Sequence, residues 1–329
     1  MNGFPGVQKT TWTHDDLAKA YDFHRFYSFQ PDLNTHLPAV RQEIQRIMGF
    51  WLQLGGSGFR MDAVPFLIER KGAGVTPTKD YELLHEMRDF LQWRCRDAVL
   101  LAEANVPPAE SLKYFGEHGD RLQLMLNFPV NQRLFYALAT GDLRPLVKAL
   151  EDTRTIPQAA QLVNFLRSHD ELDLGRLTDA QRQRVFDAFG PEPSMQLYDR
   201  GIRRRLAQRR DQDSLLNWMG RAIRMRKECP EIGWGQWKRL GSDASDVLVM
   251  RYEFEGRAVL TAHNFGERPR AVTLSAHEVG SDLLVDMLAE GQSKAEGGKH
   301  VLELAPSRYR WYRVGGMDRL ATPLQSEPE

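Results

Sequence analysis

The sequence predicts an α/β fold in which a parallel sheet is buried on both faces, followed by a separate antiparallel β-sandwich. Two observations carry this. First, the apolar runs GFRMDAV (58–64), AVLLAEA (98–104), LQLMLNF (122–128) and QLVNFLRSHDE (161–171) alternate with segments of helical period, as strands covered on both sides do. Second, past Gly235 the pattern changes to short alternating runs separated by Gly, Asn, Pro and Asp, which is the mark of antiparallel pairing.

The elements are taken in chain order. Residues 1–35 are polar and aromatic without clear period and read as a loop-rich segment. From Pro38, Val40, Ile44, Ile47, Met48, Trp51 and Leu52 recur at three- and four-residue spacing, and Gly55-Gly56 stops the helix. A second helix spans 80–94, with Leu83, Leu84, Met87, Phe90 and Leu91 on one face, and a third spans 130–140 and stops at Gly141. A further helix covers 213–228, with Asp213 as its cap. The domain expectation is therefore a loop segment at 1–35, an α/β domain at 36–234, a β-sandwich at 235–315 and a frayed tail at 316–329.

Composition removes several classes of function. Among 329 residues, 44 basic side chains balance 44 acidic ones, so no net field draws the chain to nucleic acid or an anionic membrane. Six arginines fall between 200 and 210, but without interleaved aromatics they read as a solvated or partner-facing helix. No run approaches the roughly 18 apolar residues of a membrane span. Cys95 and Cys229 are the only cysteines and lie far apart, which leaves no disulfide framework. The opening lacks a signal-peptide layout, and the expected location is cytoplasmic.

The chemistry-bearing residues stand at the ends of the apolar runs: Asp62, Glu103 and His169-Asp170. Side chains at the carboxyl ends of parallel strands converge on one face. Any one of them alone is more simply a helix cap or a surface group, but their recurrence at three run ends is harder to assign to chance. Paired carboxylates suit glycoside chemistry, where one stays ionised and the other carries a proton to the leaving oxygen. Arg60, two residues before Asp62, shares its side of the strand and would hold it ionised. Glu103, in LLAEANV with no cation adjacent in sequence, is expected to have a raised pKa. Trp and Tyr residues of 12–27 fit sugar stacking and core packing equally. His14, His24 and His36 lack metal-ligand spacing.

GFRMDAVP, LLAEANV and FLRSHDE resemble the second, third and fourth signature regions of the α-amylase family of glycoside hydrolases. The flanking HRFYSFQPDLNTHLPAVRQEIQRIMGFWLQLGGSGFRMDAVPFLIER is similar to that family's trehalose synthase branch, whose members interconvert maltose and trehalose. The resemblance implies that Asp62 is the nucleophile and Glu103 the general acid, then base. It makes Asp170 the third catalytic residue, which with His169 holds the sugar ring distorted, and it makes Arg60, His169 and Gln30 substrate-binding. It implies an α-glucoside partner, no cofactor for the chemistry, and a structural calcium on Asp32, Glu69 and the carbonyls of Phe66 and Leu67.

The chain departs from the family in one large respect. The first signature region, D-x-x-x-N-H, which also supplies a calcium ligand, does not precede Asp62. A barrel of roughly 250 residues spends about 31 on each βα unit, and only 57 residues precede Gly58. The expectation is an incomplete (β/α)8 TIM-type barrel retaining strands four to seven, with strand eight missing after RGIRRRLA. Strands four and seven would be open edges, which suggests self-association. Rival expectations are an α-glucosidase or amylase-type hydrolase, and a catalytically dead truncated homologue that at most binds sugar or a partner.

Overall fold

The computed structural model describes residues 10–71, 76–203, 215–242, 244–289 and 291–316. They fall into two compact units that divide after position 204, with 140–144 grouped with the second. Asp213, Arg204 to Arg210 and the tail from 317 lie outside the described residues.

The first unit opens with strands β1 (Trp12–Asp15) and β2 (Ala20–Phe23), paired antiparallel. This corrects the loop expected there. Neither strand alternates buried and exposed side chains, so no period was legible. The turn sets the pairing: the Asp15 carboxylate accepts the Leu17 and Ala18 N–H groups, each at 2.8 Å, and Lys19 takes φ 53°.

Helix α1 (Pro38–Gln53) then leads into β3 (Gly58–Met61), followed by the single turn α2 (Val64–Leu67), α3 (Glu82–Arg94) and β4 (Val99–Ala102). Next come α4 (Pro108–Phe115), β5 (Leu124–Leu126), α5 (Phe128–Thr140), α6 (Arg144–Asp152) and β6 (Gln161–Val163). The four strands form one parallel sheet in the order β3-β4-β5-β6. Its core joins Leu100, Ala102 and Met125 of the strands to Leu83, Leu84, Met87 and Leu91 of α3 and Met48 of α1. The run 161–171 yields only three strand residues. Beyond Val163 the chain is captured by side-chain amides: Asn127 Nδ2 donates to Asn164 Oδ1 at 3.0 Å and Asn131 Nδ2 to the Phe165 carbonyl at 2.6 Å.

After β6 come β7 (Leu172–Asp173), α7 (Asp179–Phe189), β8 (Gln196–Leu197) and β9 (Gly201–Ile202), with β9 central in a small antiparallel sheet. Helix α7 is started by a Thr178/Gln181 capping box, in which each side chain satisfies the other residue's backbone N–H.

The second unit includes α8 (Leu215–Lys227) and α9 (Pro230–Trp234). It continues with β10 (Gln236–Leu240), β11 (Val247–Phe254), β12 (Arg257–Asn264), β13 (Arg270–Ser275) and the short α10 (Ala276–Val279). It ends with β14 (Leu283–Asp286), β15 (Gln292–Lys294), β16 (Lys299–Leu304) and β17 (Tyr309–Val314). A six-stranded antiparallel sheet, β10-β11-β12-β17-β14-β15, and the pair β13-β16 share one core built on Val249, Leu260, Val272, Leu274 and Leu302. Among the described residues no helix is long and apolar enough to cross a membrane.

Candidate active site

Alternation along β3 turns Met61 into the core, with 8% of its surface exposed, and sends Arg60 and Asp62 to the other side. The parallel register pairs Arg60 with Leu101 and Met61 with Ala102, which brings Glu103 beside Asp62. The backbones interlock there. Glu103 N–H donates to the Met61 carbonyl, and the Glu103 carbonyl accepts from Val64 N–H, both at 3.0 Å. Between them Ala63 adopts φ 44°, ψ 43°, a left-handed conformation uncommon for a residue with a Cβ and the kind of local strain found at functional sites.

One guanidinium joins the two carboxylates. Arg60 Nη1 donates to Asp62 Oδ1 at 2.7 Å, and Arg60 Nη2 donates to Glu103 Oε2. No cation is adjacent to Glu103 in sequence, and Arg60 reaches it across the strands instead. The electrostatics still separate the pair. Burial pushes Glu103 upward, and a hydrogen bond with Asp62 and the charges of Asp62 and Asp170 add to it, against the opposing pull of Arg60. The result is a pKa of about 7. At Asp62 burial also pushes upward, but hydrogen bonds with Glu103 and Arg60, then the charges of Arg60 and His169, outweigh it and hold the group below the usual carboxylate range. The Asp62 side chain is 68% exposed and that of Glu103 25%, which explains why burial wins only at Glu103.

His169 and Asp170 lie in the β6–β7 loop, with His169 Nε2 3.2 Å from Asp170 Oδ2. Their charges reach Asp62 and Glu103 respectively. Gln30 is exposed on a turn whose N–H donates to the Tyr27 carbonyl at 2.9 Å. The scaffold between these groups was not legible in the sequence. Asn105 Nδ2 donates to Asp173 Oδ2 at 2.7 Å and Arg176 Nε to Asn105 Oδ1 at 2.6 Å, which ties the exit of β4 to β7.

The four donors implied for calcium are already engaged within the chain, so the residues as placed do not fit a metal. Asp32 Oδ2 lies 2.9 Å from Lys71 Nζ, and Asp32 Oδ1 accepts the Arg25 N–H at 3.0 Å. Glu69 Oε2 accepts from the Arg25 guanidinium at 2.8 Å, and the Leu67 carbonyl accepts the Thr35 hydroxyl at 2.8 Å. The Phe66 carbonyl accepts from Glu69 N–H at 3.4 Å. Two side-chain cations therefore already neutralise both carboxylates. Among the described residues no three His, Cys, Asp or Glu side chains are grouped to hold a metal ion.

Residues 5–188 match the family described as alpha amylase, catalytic domain, and residues 256–313 match the sucrose hydrolase-like C-terminal domain. The trehalose synthase of Thermus thermophilus is 42% identical over 205 residues, covering 62% of this chain and 21% of that protein. The trehalose synthase/amylase of Mycolicibacterium smegmatis is 40% identical over 215 residues, covering 62% of this chain and 35% of that protein. The chain thus spans well under half the length of these relatives. Among solved structures, an α-amylase from H. orenii superposes with TM-score 0.68 at 16% identity, covering 93% of this chain and 72% of that one. A trehalulose synthase gives TM-score 0.67 at 18% identity, covering 95% and 76%. At such identities these two matches speak for the fold alone.

Proposed function

The chain belongs to the α-amylase family, and we propose that it is a retaining α-glucoside-processing enzyme of the trehalose synthase type, interconverting maltose and trehalose through a glucosyl-enzyme intermediate. The observation that carries this reading is the split pair: Asp62 held ionised and Glu103 at about 7, joined by Arg60. Two carboxyl groups held by the two Nη atoms of one guanidinium suit the short separation of a retaining pair better than the wider gap that an inverting enzyme keeps for its water.

In this reading Glu103 donates its proton to the glycosidic oxygen while Asp62 attacks the anomeric carbon, so that the C–O bond breaks as the ester forms. Glu103, now ionised, takes the proton from the incoming hydroxyl as that oxygen displaces Asp62. His169, Asp170 and Gln30 bind sugar hydroxyls, and Asp170 helps distort the ring. For a mutase the released glucose must turn and attack before water does. The openness of Asp62, 68% exposed, favours a second reading in which water wins and the enzyme is a hydrolase.

The four parallel strands fit strands four to seven of a (β/α)8 barrel, in which case β3 and β6, the outer strands of the sheet among the described residues, would be open edges. We assign them to pairing between copies of this chain; a monomer in analytical ultracentrifugation overturns that. Two free cysteines suit a cytoplasmic setting. The deciding experiment is proton NMR of the anomeric signals with maltose, alongside Asp62→Asn. Trehalose produced only by the unmutated protein supports the mutase, and glucose alone supports the hydrolase. No turnover by folded protein leaves a sugar- or partner-binding homologue.

A further inference from the structure

Two consecutive residues, His169 and Asp170, act on the same carboxyl pair: the charge of His169 on Asp62 and that of Asp170 on Glu103. A strand running through all of 161–171 would turn them to opposite faces of the sheet. The chain instead leaves the sheet after Val163. Packing does little to fix the two side chains, which are 61% and 50% exposed. Their placement depends on anchors upstream, between Asn164 and Arg167, and downstream, where buried Leu172 pairs with Ile202.

The upstream anchor is built on the first turn of α5. Asn127, just before it, donates its N–H to the Val163 carbonyl at 2.9 Å, which extends the β5–β6 ladder by one bond. Asn127 Nδ2 then takes Asn164 Oδ1, as described above. Asn131, one turn further on, supplies donors where the ladder has ended: its Nδ2 donates to the Phe165 carbonyl at 2.6 Å and to the Leu166 carbonyl at 3.2 Å. A primary amide carries two N–H donors on one nitrogen and can serve both carbonyls at once. Asn131 is only 3% exposed, so water does not compete for these bonds. The Phe165 ring also meets Phe128 edge-on at 5.1 Å, and Arg167 Nη2 donates to the Ile202 and Arg203 carbonyls, each at 3.0 Å. Every residue from 164 to 167 is thus tethered.

We propose that Asn131 is a positioning residue for the reaction: its amide takes the place of a strand partner for Phe165 and Leu166, and so sets the turn that brings both His169 and Asp170 to the side of Asp62 and Glu103. This rests on the α-glucoside reading of the active site. Asn131 acts through His169 and Asp170 and touches no substrate itself.

The test is Asn131→Leu, which keeps the side chain's shape and removes both donors, beside Ala137→Gly, a buried change elsewhere on α5. Circular dichroism checks each for folding. In Asn131→Leu, kcat for maltose should fall about 10²-fold, and the pH profile of kcat/KM should narrow from both sides. With Asp170 displaced, Glu103 loses a charge that raises it and the alkaline limb moves down; with His169 displaced, Asp62 loses a charge that lowers it and the acid limb moves up. Arg60 and the two carboxylates, the other groups acting on the pair, stay in place in this variant. Ala137→Gly should lower Tm and leave both limbs where they are. Limbs that do not move in Asn131→Leu overturn the proposal; if that variant does not fold, Asn131→Ala is read by the same limbs. If the unmutated chain does not turn over maltose, the enzymatic reading fails and carbon-13 NMR titration of the Glu103 carboxyl decides the positioning separately. A midpoint lower in the Asn131 variant than in the unmutated chain supports it, and equal midpoints overturn it.

Discussion

Asp62 and Glu103, one residue beyond neighbouring parallel strands, share the Arg60 guanidinium and yet depart from ordinary carboxylate behaviour in opposite directions. Burial raises both, but Glu103 sits between buried Ala102 and Ala104, where ionisation is costly, whereas at Asp62 hydrogen bonds with Glu103 and Arg60 and the charges of Arg60 and His169 outweigh burial. Two like groups close together cannot both ionise freely, and the more buried one keeps the proton.

The first prediction is a pH profile. Glu103 is active as the acid, so kcat/KM should fall as pH rises through about 7. Asp62 must be ionised, so the acid limb should lie below the usual carboxylate range. Glu103→Gln should lower kcat on maltose by about 10²- to 10⁴-fold and abolish the alkaline limb. A profile unchanged across pH 6 to 8 would remove Glu103 from the acid's role.

The same shift predicts stability. A carboxyl whose folded pKa is raised contributes stability that is present below its unfolded value and lost as pH rises through the folded one. Glu103→Gln should therefore change Tm more favourably at pH 8 than at pH 5. Calorimetry at the two pH values checks this; an equal effect at both would mean that Glu103 ionises normally.

A third prediction concerns Arg60. Arg60→Met removes the cation that helps hold Asp62 ionised, and the acid limb of kcat/KM should move upward. Titrating activity from pH 3 to 6 tests it, and a limb that does not move would restrict Arg60 to a structural part.

The ion pairs at Asp32 and Glu69 yield a fourth. With Lys71 and Arg25 already on these carboxylates, chelator and added calcium should give the same Tm. Lys71→Met, which leaves a mostly buried Asp32 without its ammonium, should lower Tm in either condition. A rise in Tm with calcium in the unmutated chain would contradict this pairing of the four donors.

In the second unit, Glu231 of α9 is fully buried against Arg313 of β17. Glu231→Gln or Arg313→Met alone should cost about 3–5 kcal/mol, and the pair together less than the sum. Urea unfolding of the three variants tests the coupling.

The sequence by itself determined the helices from Pro38 and over 80–94, the strands in GFRMDAV, AVLLAEA and LQLMLNF, and the antiparallel runs after Gly235, because in each a core face imposes a period on the residues. It also marked Arg60, Asp62, Glu103 and His169-Asp170, since strand ends of a parallel sheet are where such side chains meet. What only the tertiary structure decided depended on partners distant in sequence. Arg60 reaches Glu103 through strand register, Lys71 and Arg25 take the carboxylates read as calcium ligands, and Asn127 and Asn131 capture the chain beyond Val163 in the fourth run. Tyr27 finds Tyr198 across 171 positions. Period reports whether a residue faces the core; it carries no information about which charge or ring, brought from elsewhere in the chain, will stand opposite.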